Sequence, residues 1–152
     1  MLLDLLSKER ISTNVKAEDW YEVGRKVGDL LLKDDLVEDI YIDAMIKSLE
    51  ENGPYIVMAK GVAIFHARPE DGVKETGMSL VTLDSPVEFG HKNNDPVKIA
   101  FAFGSINDEK HVAAMSQLMT VLMEDDSLNK IYNKDTSNEV FEYIKQVVSN
   151  NQ

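Results

Sequence analysis

Residues Met58 to Gly72 read MAKGVAIFHARPEDG. Within them Val62-Ala63-Ile64-Phe65 is an uninterrupted apolar run of strand-forming character, and it delivers His66 to its end. Arg68 follows two residues later. Extended side chains alternate faces, so His66 and Arg68 are expected on the same side, roughly 6–7 Å apart along the chain. Pro69 disfavours helical dihedrals at Arg68 and keeps this short segment extended. A nucleophilic imidazole beside a fixed guanidinium is what a protein needs to accept a phosphoryl group and then release it. A surface histidine closing a buried strand is the other reading of the same residues, and the rest of the chain decides between them.

Upstream of this segment lie two helical patterns. From about Ala17 to Lys33, residues Trp20, Val23, Val27, Leu30 and Leu31 recur on one stripe at helical spacing. A second helix is predicted from about Val37 to Glu50, burying Ile42, Met45, Ile46 and Leu49. It stops at Gly53-Pro54, since glycine accepts a left-handed cap and proline cannot continue a helix. Arg10-Ile11-Ser12 is a short candidate strand. Strand character then dominates: Tyr55 to Met58, Val62 to Phe65, Met78 to Leu83 and Val97 to Phe103, with a further short piece at Val87-Glu88-Phe89. The run Val97 to Phe103 is apolar enough to be a largely buried central strand. A helix capped by Asn107 or Asp108 is expected to reach about Asp125, with Val112, Met115, Leu118, Met119 and Leu122 facing inward. The last helix starts at Thr136, where Thr136-Ser137-Asn138-Glu139 fits a capping box, and buries Val140, Phe141, Ile144, Val147 and Val148. Helices, then strands, then helices in one short chain imply an α/β domain whose sheet is covered on both faces.

The bulk numbers narrow the function classes. A chain of 152 residues fits one domain, residues 1–152, with no linker, repeat or low-complexity tract. A net charge of −11 argues against nucleic acid and anionic membrane surfaces, and it suits a basic protein partner. There is no cysteine, hence no disulfide, thiolate metal site or cysteine nucleophile. The opening MLLDLLSKERIS meets charges too early for a signal peptide, and no apolar run approaches the roughly 18 residues of a membrane span. A cytoplasmic protein without direct membrane insertion is expected.

His111 falls in the first turn of the helix after the Val97 strand. His111, Met115, Leu118 and Leu122 are spaced i, i+4, i+7 and i+11, which puts the imidazole on the inward stripe. If the strands ending at His66 and Phe103 are parallel neighbours, both histidines reach one carboxyl edge of the sheet, where such folds place ligands. The N–H groups of a helix N-terminus suit an anion there. The other reading of His111 is a buried polar residue satisfied by a nearby carbonyl. His91, in the polar turn Gly90-His91-Lys92-Asn93-Asn94-Asp95, is assigned to solvent. There is no Walker loop, G-x-G-x-x-G, G-x-S-x-G or H-E-x-x-H. A zinc site would need His66 and His111 with Glu70 or Asp108, without the close ligand pairing typical of zinc, so no metal and no cofactor is expected.

The segment Glu51 to Ala67, ENGPYIVMAKGVAIFHA, resembles the phosphohistidine signature of enzyme IIA domains of the mannitol/fructose class, in the bacterial phosphoenolpyruvate-dependent sugar phosphotransferase system. Glu51, the pair Met58-Ala59, the triplet Val62-Ala63-Ile64, His66 and Ala67 match. Phe65 stands where the signature has proline, and by strand alternation it faces away from the His66 side. Asp108 and His111 in INDEKHVAAMSQLMTVL match a second family feature. A closer likeness is to the ascorbate-type branch, carried by GPYIVMAKGVAIFHARPEDGV and SLVTLDSPVEFGHKNNDPV. The arginine that mannitol-type members carry after the second helix is missing from Ser48-Leu49-Glu50-Glu51-Asn52, and Arg68 is the candidate replacement.

The resemblance implies a single domain with a central mixed sheet flanked by helices on both faces. It further implies that His66 takes a phosphoryl group from the histidine-containing phosphocarrier protein and gives it to a cysteine of enzyme IIB, which feeds the membrane enzyme IIC. Ascorbate or a related sugar would be the cargo. Phosphoryl transfer asks a protein mainly for position and charge stabilisation, here from Arg68, His111 and the N–H groups of its helix. Phosphorylation adds about −1.5 to −2 charges beside Glu70 and Asp71, so a cation must offset it; Lys60 and Lys74 are the alternatives to Arg68. Two other readings are a regulatory protein of the same fold, phosphorylated on His66, and a binding domain never phosphorylated.

Overall fold

A computed structural model describes residues 2–106 and 108–151. The chain runs α1 (Leu2–Leu5), β1 (Ile11–Val15), α2 (Trp20–Lys33), α3 (Asp39–Asn52), β2 (Val57–Ala59), β3 (Val62–His66), β4 (Gly77–Val87), β5 (Val97–Gly104), α4 (Asp108–Leu122), α5 (Ser127–Tyr132) and α6 (Ser137–Asn150). The sheet order is β1-β4-β5-β3-β2. β1 is parallel to β4 and β3 to β5, while β4 with β5 and β2 with β3 are antiparallel. The sheet is therefore mixed, and the two strands that lead to the histidines are parallel neighbours in the register His66 to Phe103.

Period-2 alternation divides the core into two layers. On β3, Ala63 and Phe65 join the layer under α2 and α3, while Val62 and Ile64 join the layer under α1, α4 and α6. β5 does the same with Ala100 and Ala102 on one side and Ile99, Phe101 and Phe103 on the other. A strand buried on both faces has no solvent side, which is why Ile99 to Phe103 reads as one apolar run.

Phe65 lies fully buried in the α2/α3 layer, edge-on to Phe89 at 5.8 Å between ring centroids. The expectation that it turns away from His66 holds. Gly24 of α2 makes room for it, since a Cβ there would sit 2.9 Å from Phe65 Cε1 and 3.2 Å from Ile46 Cγ1. Alanine is worth about 1 kcal/mol more than glycine inside a helix, but overpacking a buried layer costs about 1–3 kcal/mol. With both neighbours confined, overpacking wins. Gly24→Ala is expected to lower stability by about 1 kcal/mol in urea denaturation, and a gain in stability would show that the layer yields.

Local chemistry sets the helix ends. Asp19 caps α2, its carboxylate accepting the Glu22 N–H at 2.9 Å, so the helix starts at Trp20 rather than Ala17. Gly53 (φ +79°) ends α3, its N–H donating to the Leu49 carbonyl. Thr136 caps α6 through the Glu139 N–H at 3.1 Å, and its hydroxyl bonds the Glu139 carboxylate. The caps expected at Asn107 or in the Asp108 side chain lie outside the described residues.

Several expectations need correction. Val87 is the end of β4, paired with Val97 after a register shift, and not the start of a separate strand with Glu88 and Phe89. The Asp95 carboxylate instead collects the N–H groups of Phe89, Gly90 and His91. α4 ends at Leu122, and its buried residues are Ala114, Leu118 and Val121, whereas Val112 is 66% exposed. α5 and α1 were not foreseen, being too short to show a period. No helix among the described residues is long and apolar enough to cross a membrane.

Candidate active site

β3 ends at His66, which forms its last registered pair, with Phe103 of β5. The His66 Nδ1 lies 2.9 Å from the Ile64 carbonyl oxygen. A carbonyl can only accept, so this bond assigns a proton to Nδ1 and, in the neutral ring, leaves Nε2 with its lone pair. The half-buried ring stands edge-on to Tyr55, 5.9 Å between centroids. Its orientation is thus held at one nitrogen and one edge while Nε2 stays available as a nucleophile or acceptor.

His111, in the first turn of α4, stands edge-to-face with Phe103 at 4.9 Å and 87°. Phe103 therefore links the two histidines: it pairs in register with one and packs against the ring of the other. His66, His111 and Arg68 all line one cleft of about 970 Å³. The sheet edge inferred from the parallel pairing is the place where they meet.

Arg68 follows the strand in extended conformation (φ −76°, ψ 149°) and caps the 3₁₀ turn Pro69–Asp71 that comes next. Its guanidinium bonds the Asp71 carboxylate at 3.3 Å, and its own N–H donates to the same carboxylate at 3.1 Å. The guanidinium hydrogen bond to Asp71, with the charges of Asp71 and Glu70, raises the Arg68 pKa above its ordinary value. The side chain is 76% exposed, at the mouth of the cleft. Strand alternation ends at His66, so it is the turn and Asp71 that hold Arg68 there.

The cleft also holds residues that the sequence did not mark. Lys47 of α3 lines it, paired with Glu51 at 3.8 Å. The alternative cations expected from sequence lie elsewhere: Lys74 is bound to Asp35 at 2.6 Å, and neither it nor Lys60 lines the cleft. Ser48 bonds the Tyr55 hydroxyl at 2.8 Å, and Asn52 donates to Ser48 at 3.4 Å. The i, i+4 spacing of Lys47 with Glu51 and of Ser48 with Asn52 was legible, but not that this face looks onto His66. Five carboxylates (Glu38, Asp43, Glu51, Glu70, Asp71) face two cations among the described residues of the lining. His91 lies apart and is half-buried rather than solvated, its Nδ1 accepting the N–H groups of Asn93 and Asn94. Among the described residues, no group of three His, Cys, Asp or Glu side chains is placed to hold a metal.

A mixed α/β domain with an oriented imidazole at a sheet edge and a second imidazole and two cations lining the same cleft has the parts that phosphoryl transfer asks of a protein, position and charge stabilisation. The chain belongs to the family described as Phosphoenolpyruvate-dependent sugar phosphotransferase system, EIIA 2, which matches residues 4–147. It is a phosphotransferase component of that system. It is 36% identical over 141 residues to the ascorbate-specific PTS system EIIA component of Escherichia coli (strain K12), covering 92% of each chain. The solution structure of the mannitol-specific cryptic phosphotransferase enzyme IIA CmtB from Escherichia coli superposes with a TM-score of 0.85. That pair is 32% identical, covering 95% of this chain and 98% of that one. The fold also matches a complex of enzyme IIA-Mtl and phosphorylated enzyme IIB-Mtl from Escherichia coli (TM-score 0.78, 23% identity, 93% and 99% covered).

Proposed function

We propose that His66 is the phosphoryl-carrying residue. Its Nε2 attacks the phosphoryl group of the phosphohistidine on the histidine-containing phosphocarrier protein, so that a new N–P bond forms as the donor's breaks. A cysteine thiolate of enzyme IIB then attacks phosphorus, and the Nε2–P bond breaks to restore the imidazole. The observation that carries this reading is the bond from Nδ1 to the Ile64 carbonyl, which leaves Nε2 as the free nitrogen in the cleft. The acidic lining supports a basic partner. The IIB partner is supported by the complex formed by the mannitol neighbour. The ascorbate-specific relative supports ascorbate or a related sugar as the transported cargo, with the transfer taking place in the cytoplasm ahead of the membrane enzyme IIC. The functional unit spans residues 1–152 as one enzyme IIA domain. Incubation with enzyme I, the phosphocarrier and labelled phosphoenolpyruvate is expected to put one acid-labile phosphoryl group on His66; absence of label, or label elsewhere, refutes the assignment.

Arg68 stabilises the charge that arrives with the phosphoryl group. A guanidinium grips two oxygens, where lysine offers a point charge. A charge-assisted hydrogen bond is stronger than a neutral one, but Asp71 shares this guanidinium and water screens it. Arg68→Ala is therefore expected to slow transfer between the carrier and IIB by about tenfold, with Arg68→Lys recovering part of the loss. Normal rates in Arg68→Ala by rapid quench would pass the role to Lys47.

A further inference from the structure

One buried oxygen joins the two strand ends on which the site is built. The Tyr41 hydroxyl accepts the Ala67 N–H at 3.0 Å and lies 2.7 Å from the Phe103 carbonyl, to which it donates. The Ala67 carbonyl, at 3.2 Å, is a second and longer acceptor. Ala67 directly follows His66, and Phe103 is both the register partner of His66 and the ring on which His111 rests. The β3 ladder ends at His66, so a side chain takes over from the sheet at the residue after the candidate nucleophile.

Tyr41 is well placed to act as a fixed reference. It is fully buried in α3, and the start of that helix is tied to the loop after Arg68 by the Glu38 N–H, which donates to the Gly72 carbonyl at 2.8 Å. A Cβ on Gly72 (φ +134°) would lie 3.1 Å from Tyr41 Cβ, so the loop closes directly over it. Burial pushes the phenol pKa up to about 12. The hydroxyl therefore keeps its proton, and both hydrogen bonds persist at neutral pH.

We propose that Tyr41 is a positioning residue for phosphoryl transfer: its hydroxyl holds the backbone after His66 at a set distance from the strand end that seats His111, so that both imidazoles address one phosphoryl group. The proposal rests on His66 being the phosphoryl acceptor. Small misplacements at a transfer centre are costly, because the reacting atoms must meet in line at near-contact distance.

Tyr41→Phe keeps the buried ring and removes the oxygen. It is expected to slow transfer from phospho-His66 to IIB by roughly 10- to 100-fold. The ring nitrogen-15 signals of His66 should change from a single Nδ1–H tautomer in the wild type to a mixture. Ser79→Ala is the matched control, since Ser79 Oγ is equally buried and donates to the Val27 carbonyl at 2.7 Å, away from the cleft. It should lose similar stability and transfer at the wild-type rate. Rates are compared where circular dichroism shows both variants folded, with trimethylamine oxide added if Tyr41→Phe needs it. In the wild type, the Tyr41 hydroxyl proton should exchange slowly and show a cross-peak to the Ala67 amide; its absence overturns the geometry. Wild-type rate and tautomer in Tyr41→Phe, or an equal loss in Ser79→Ala, overturn the proposal while leaving His66 as acceptor. A wild type that takes no label overturns both.

Discussion

His66→Ala is expected to abolish phosphoryl acceptance outright while leaving the fold intact. Nε2 of this ring is the atom that would form the bond to phosphorus, and no neighbouring group replaces it. His111 is the other imidazole in the cleft, but it packs against Phe103, and the role proposed for it is donation to phosphoryl oxygens. The fold should survive because His66 closes β3 and is half-buried. Its removal costs one side-chain hydrogen bond to Ile64, about 1 kcal/mol, and a single edge contact with Tyr55. The check is incubation with labelled phosphoenolpyruvate and the carrier proteins, with circular dichroism and a urea midpoint on the same sample. Full labelling of His66→Ala, followed by transfer to IIB, would eliminate the proposed nucleophile.

His111→Ala should show a selective defect. The role proposed for it is to hydrogen-bond the phosphoryl group rather than to form the bond, so acceptance from the phosphocarrier should persist. Onward transfer should slow on the order of 10²–10³-fold, the usual loss when one preorganised donor to developing charge is removed. The edge-to-face contact with Phe103 fixes the direction of the ring and is worth about 0.5–1.5 kcal/mol. His111→Ala should therefore cost little stability beside its kinetic effect. Rapid-quench measurement of the two half-reactions separately is the decisive readout. Wild-type rates in both would show that His111 only packs against Phe103.

Much of the fold was readable because the decisive signals are local or periodic. Val62 to Phe65 is a continuous apolar run and Val97 to Phe103 is interrupted only by Lys98, and the structure shows both strands buried on two faces. Asp19, Gly53 and Thr136 act through their own turns, and at Gly53 and Thr136 the cap fell where the pattern placed it. Val112 was misplaced because helical spacing ranks residues only relative to one another. Which arc of α4 faces the sheet is chosen by Phe101 and Phe103 beneath it, and that choice favours Ala114, Leu118 and Val121. Lys47 was passed over for Lys60 and Lys74 because distance along the chain says little about which cation a folded helix carries to His66.

The sequence alone determined that a β-strand ends in His66, that a helix opens near His111, and that Arg68 is extended before Pro69. Each follows from dihedral preferences and periodicities acting within a few residues. It also determined the acidic balance and, through the likeness in Glu51 to Ala67, the expected chemistry. Only the tertiary structure decided that β3 and β5 lie parallel and in register, since pairing partners are selected by two-sided burial across the whole sheet. The proton on His66 Nδ1 was likewise decided there, because it depends on the His66 ring reaching the Ile64 carbonyl oxygen. So was the Tyr41 bridge between Ala67 and Phe103, whose bonds span 26 and 62 residues of chain. Contacts at that separation form only when helix and strands have packed, and a local pattern holds no record of them.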